Sequence, residues 1–105
     1  VVGDGLQTRD YTHVSDVVSA NIKAAVVDDE SVLGEIFNIG TGKNYSVMDL
    51  VKMIGGNSPD FEYIPERVGE ARHTLSDSTK ANQMLDWNSN VELENWITSC
   101  TQPSV

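Results

Sequence analysis

The chain has little to bind nucleic acid or to build covalent cross-links. Seven Lys and Arg stand against sixteen Asp and Glu, a net charge of -9, which argues against nucleic-acid partners because phosphate neutralisation needs clustered cations. Cysteine occurs once, at Cys100, so no internal disulfide can form and a reducing, cytoplasmic compartment is compatible. No apolar run approaches the ~20 residues that span a bilayer, so no membrane partner is expected, and Val1-Val2-Gly3-Asp4 does not read as a signal peptide. The two histidines have no close partner pattern and the carboxylates show no calcium-loop spacing, so no metal is expected. Gly40-Thr41-Gly42 is followed by Tyr45 where a dinucleotide-binding G-x-G-x-x-G needs glycine. The missing initiator methionine suggests a chain cut from something longer.

A chain of 105 residues with 39% apolar content supports one small globular unit. Residues 6 to 14 read as one or two short strands, with Ser15 or Asp16 capping a helix from Val17 to Val27. Apolar residues surround most of that helix, which predicts deep burial. Asp28 to Ser31 is a turn, and Glu35 to Ile39 alternates polar and apolar side chains as a half-buried strand does. Ser46 and Asp49 have capping-box spacing for a helix to about Ile54, ended by Gly55-Gly56-Asn57-Ser58-Pro59. Phe61 to Ile64 reads as another strand. Glu66 to Thr74 reads as an ordered loop or an edge passing a cleft. Asp77 is placed to cap a helix to about Leu85, and a last helix from Val91 to Ile97 should turn Leu93, Trp96 and Ile97 inward. Residues 98–105 are expected to form a flexible tail.

The chemistry concentrates on a few cations. Arg9 lies in a strand-like stretch just before a helix start, and a guanidinium fork matches phosphate oxygens better than a lysine does. Arg67 follows another expected strand end, so physics permits the two to clamp a diphosphate. It equally permits two surface ion pairs with the abundant carboxylates. Arg72 and Asn38 are weaker candidates for ligand contact. His13 suits a packed, hydrogen-bonded role better than that of a general base.

The run Gly3-Asp4-Gly5-Leu6-Gln7-Thr8-Arg9-Asp10-Tyr11-Thr12-His13-Val14-Ser15-Asp16-Val17-Val18 resembles the opening of the carboxy-terminal, substrate-binding part of nucleotide-sugar epimerases and dehydratases, the extended short-chain dehydrogenase/reductase family. Further matches follow in order: Gly34-Glu35-Ile36-Phe37-Asn38-Ile39-Gly40-Thr41-Gly42, Arg67-Val68-Gly69-Glu70-Ala71-Arg72, and Asp77-Ser78-Thr79-Lys80-Ala81 leading to Leu85-Asp86-Trp87. The resemblance implies an α/β fold, a small mixed α/β substrate-binding domain over residues 1–97 without the Rossmann domain. It also implies Arg9 and Arg67 on the pyrophosphate of a UDP-sugar or related nucleotide sugar, and Glu70, where relatives often carry Asp, on the ribose.

Such family members bind NAD on a separate Rossmann domain that supplies a Tyr-x-x-x-Lys pair for hydride transfer. Here the residues four after Tyr11, Tyr45 and Tyr63 are Ser15, Asp49 and Arg67. The chain alone is therefore expected to hold no cofactor and no catalytic residue, and to be an inactive portion of a sugar 4-epimerase-like protein. A dehydratase or reductase of the same family shares the phosphate grip and is an alternative. So is a stand-alone, non-catalytic oligomeric interaction module. Uncovered apolar surface around Val14, Val17 and Ile39 implies a homo-oligomer or docking with a separate cofactor domain.

Overall fold

A computed structural model describes residues 1–56 and 59–101 of the chain. Asn57 and Ser58 of the expected helix stop, and residues 102–105 of the expected tail, lie outside the described residues. Strand β1 (Thr8–Arg9) is followed by helix α1 (Val14–Val26), a 3-10 turn (Glu30–Val32), strand β2 (Tyr45–Ser46) and helices α2 (Val47–Gly55), α3 (Thr79–Leu85) and α4 (Leu93–Thr101).

β1 occupies the middle of a small arrangement. On one side it pairs antiparallel with β2, Thr8 opposite Ser46 and Arg9 opposite Tyr45. On the other, the Thr8 amide donates to the Arg72 carbonyl at 2.9 Å and the Thr74 amide to the Thr8 carbonyl at 3.0 Å, a parallel bridge of Thr8 with His73. The loop from 66 to 74 is thereby laid along the arginine-bearing strand.

The helix starts rest on local chemistry. The Ser46 hydroxyl accepts from the Asp49 amide at 3.0 Å while the Asp49 carboxylate accepts from the Ser46 amide at 2.9 Å, the reciprocal box read from the sequence. Asp77 accepts from both the amide and the hydroxyl of Thr79, which starts α3. α1 begins earlier than its Ser or Asp residues suggested: His13 is the cap, its Nδ1 accepting from the Ser15 amide at 3.0 Å. An imidazole nitrogen supplies the same acceptor as a hydroxyl oxygen, which residue-type preferences for caps overlook. α4 runs past Ile97 to Thr101, with Ile97 buried but Trp96 45% exposed and set edge-on to His13.

The core is small: Ala20, Val32, Ala81, Leu85 and Trp87 are buried, with Val27, Phe37, Ile39 and Met84 packed against them. Asp16 sits beside it, 2% exposed, its carboxylate accepting from the amides of Asn90 and Val91 at 2.9 and 3.1 Å. The Trp87 indole donates to the Asp16 carbonyl at 3.0 Å and to the Ser19 hydroxyl at 2.9 Å. One carboxylate thus ties α1 to the approach of α4, and one indole ties α1 to the end of α3.

Three expectations are corrected. α1 is not deeply buried: only Asp16 and Ala20 are buried along it, while Val14, Val18, Ile22 and Val26 are 68, 48, 57 and 72% exposed. Ala20 faces α3 and Asp16 the 90–91 segment, while the other four lie around the opposite side of the helix, largely uncovered by the described residues. Nor does Glu35 to Ile39 form a strand, because a strand needs a hydrogen-bonding neighbour and this segment has none among the described residues. Phe61 to Ile64 contributes only an isolated bridge of Ile64 with Val2. The molecule is a slab, 52 × 43 × 15 Å, with a radius of gyration of 16.9 Å against about 13 Å for a compact domain of this length.

Candidate functional site

Arg9 leaves β1 toward the adjoining loop. Its Nη1 donates to the carbonyl of Thr8 at 2.7 Å and to that of Arg72 at 3.4 Å, and its Nη2 lies 3.2 Å from Oε1 of Glu70. Glu70 closes a turn begun by Arg67: its amide donates to the Arg67 carbonyl at 3.5 Å, and Gly69 in the third position has φ 82°. That left-handed φ is what a type II turn requires there, and the turn keeps the Cα atoms of Arg67 and Glu70 within about 7 Å. Arg9 and Glu70 are therefore in contact, and Arg67 stands at the other end of the same turn.

The other candidates are placed differently. Arg72 is clamped by both nitrogens to Asp4, each at 2.8 Å; the Arg72 hydrogen bonds, followed by the Leu6 amide, lower the Asp4 carboxyl to about 2. Asn38 is exposed and borders an open hollow with Asp10, Thr74 and Ser76. Arg67 is exposed and makes no side-chain hydrogen bond or ion pair among the described residues. Among the described residues it is thus a cation without a side-chain partner, in a chain of charge -9.

Sequence reasoning missed Asp10. Its carboxylate accepts from the Thr41 amide and hydroxyl at 3.0 and 2.6 Å, from the Gly42 amide at 2.9 Å and from the Ser76 amide at 3.2 Å. Partial burial pushes this carboxyl up, but the Thr41 hydroxyl and the amides of Thr41, Gly42 and Ser76 outweigh it and hold it below its ordinary range. Its partners are distant in the chain, so no local spacing announces the cluster. The one available signal is Gly40-Thr41-Gly42, whose consecutive amides need an acceptor.

His73 also contributes, its Nδ1 lying 2.7 Å from the Thr8 hydroxyl, which Asn44 reaches from the other side at 3.2 Å. Gln7 is buried beneath the loop, with its Nε2 on the Val2 carbonyl and its Oε1 without a partner. It borders a hollow of about 20 Å³ with Glu66, Glu70 and Arg72.

A family profile described as GDP-mannose 4,6 dehydratase matches residues 1–100. The chain belongs to this family of nucleotide-sugar epimerases and dehydratases. Among its relatives, a UDP-glucose 4-epimerase of Mycolicibacterium smegmatis is 38% identical over 100 residues, which cover 92% of this chain and 31% of that protein. The UDP-glucuronic acid 4-epimerase of Bacillus cereus, solved with UDP-glucuronic acid and NAD, superposes with a TM-score of 0.85 at 30% identity, covering 93% of this chain and 32% of that one. The UDP-glucose 4-epimerase of Thermotoga maritima, solved with UDP-glucose, gives 0.78 at 40% identity over 92% of this chain and 31% of that one. The fold is thus α/β of the epimerase type, and the chain spans about a third of the length of the relatives it matches.

The glycine loop of this family member does not fit a dinucleotide pyrophosphate. Amides that would have to point at phosphate already donate elsewhere, those of Thr41 and Gly42 to Asp10 and that of Gly40 to the Ser78 hydroxyl. A Cβ at Gly40 would come within 2.3 Å of Ser76 Cβ, so the glycine serves close packing of the 76–78 segment. Among the described residues no three His, Cys, Asp or Glu side chains converge to hold a metal ion, and no helix is long and apolar enough to cross a membrane.

Proposed function

We propose that this chain is the nucleotide-sugar-binding, carboxy-terminal portion of an NAD-dependent sugar 4-epimerase-like protein, with residues 1–97 as the binding unit. Arg9 and Arg67 would hold the diphosphate and Glu70 the ribose of a UDP-sugar. The observation that supports this best is the 3.2 Å contact of Arg9 with Glu70, which joins β1 to the turn that carries Arg67. An ion pair of this exposure contributes about 1 kcal/mol or less, so a doubly charged phosphate ligand competes for the guanidinium at little expense to the fold. Relatives solved with UDP-glucose or UDP-glucuronic acid favour the same ligand class.

The chain lacks a Tyr-x-x-x-Lys pair, and its glycine loop is committed to Asp10. Hydride transfer therefore belongs to a separate cofactor domain, and the chain alone binds without turning over. Calorimetry with UDP tests this: heat that disappears in Arg9→Ala and Arg67→Ala supports the ligand site. No heat with the unaltered chain would favour a non-catalytic interaction module.

A further inference from the structure

Gln7 carries a buried polar atom that the fold leaves unpaired. The residue is 7% exposed. Its Nε2 donates to the Val2 carbonyl at 3.1 Å, while Oε1 accepts nothing among the described residues. Chemistry fixes this orientation, since turning the amide over would set its oxygen against the Val2 carbonyl oxygen with no proton between them. Buried acceptors are almost always paired, because an unpaired one loses its hydration without compensation.

A second observation says what the partner is. Gln7 borders a hollow of about 20 Å³ together with Ala71 and Arg72, and the amides of both make no hydrogen bond among the described residues. A water needs about 10–15 Å³ of such space and two to four polar partners. The hollow therefore admits one water and no ribose ring.

We propose that one buried water sits in this hollow, donating to Gln7 Oε1 and accepting from the Ala71 or Arg72 amide, and that Gln7 is thereby a positioning residue for the turn carrying Arg67 and Glu70. The second proton of the water is left for Glu66 or Glu70, whose side chains belong to residues bordering the same hollow. Two backbone bonds already dock the loop on β1, from the Thr8 amide to the Arg72 carbonyl and from the Thr74 amide to the Thr8 carbonyl. Both lie at or beyond Arg72. Nearer the turn, the tie to β1 among the described residues is the Arg9–Glu70 ion pair, and Arg9 gives that up on taking a phosphate. The water bridge then keeps the turn in register while the guanidinium changes partner. The bridge stands on geometry alone, whereas its effect on ligand binding rests on the reading of Arg9 and Arg67 given above.

Water–amide NOEs in the isotope-labelled chain test the bridge directly. Ala71 or Arg72 should show a cross-peak to a water resident longer than about a nanosecond. Gln7→Met, of similar length but with neither donor nor acceptor, should abolish it and speed exchange of the Thr74 amide about tenfold. Pyrophosphate should bind that variant about threefold more weakly by calorimetry, because the turn is no longer held ready. A role confined to the Val2 contact would instead quicken the Gly3 amide and leave Thr74 and pyrophosphate affinity unchanged, which would overturn the proposal. So would the lack of a cross-peak in the unaltered chain, a result that decides the matter even where Gln7→Met fails to fold. A cross-peak in an unaltered chain that gives no heat with pyrophosphate supports the bridge and counts only against the ligand site.

Discussion

The Nη2 of Arg9 lies 3.2 Å from Oε1 of Glu70, joining a two-residue strand to a turn far along the chain. Both side chains are partly solvated, 25 and 32% exposed, so the pair links the site's parts without holding the fold together. Glu70→Gln removes the carboxylate that competes for Arg9. It should raise affinity for inorganic pyrophosphate by a few-fold, while the unfolding free energy measured in urea shifts by less than about 1 kcal/mol. A fall in pyrophosphate affinity, read by calorimetry, would contradict this arrangement.

Asp10 carries an acid dependence of stability. Its carboxyl sits below its ordinary range in the fold, so the unfolded chain binds the proton more readily. The resulting stability is complete above the unfolded value of about 3.9 and is lost as pH falls through the lower folded value. Asp10→Asn should therefore unfold more easily in urea at pH 7, by about 1–3 kcal/mol, and should show less further loss than the unaltered chain on descending below about pH 4.

Asp4 should titrate near 2 by NMR, because Arg72 and the Leu6 amide favour its charged form. In Arg72→Ala the midpoint should move up toward the ordinary Asp range of about 3.9. An unchanged midpoint would mean that the bidentate contact is not formed in solution.

Trp87 is 1% exposed and Asp16 2%. Trp87→Ala should destabilise the chain by about 3–5 kcal/mol through lost burial and a residual cavity. Asp16→Ala should cost about 1–3 kcal/mol for each of the Asn90 and Val91 amides left without an acceptor. Denaturation curves of the two variants give both quantities.

The sequence alone determined the Ser46–Asp49 box and offered the candidate set Arg9, Arg67 and Glu70. These depend on residues a few positions apart or on a motif, and both are written along the chain. Only the tertiary structure decided which candidates meet. It set Glu70 on Arg9, tied Arg72 to Asp4, and gathered the 41–42 and 76 amides around Asp10. It also showed that an α1 apolar on nearly every side is half uncovered, and that the alternating Glu35 to Ile39 has no ladder among the described residues. Periodicity records which side chains suit burial or pairing, but the surface that meets them is a property of chain segments brought together in space, which no local pattern contains.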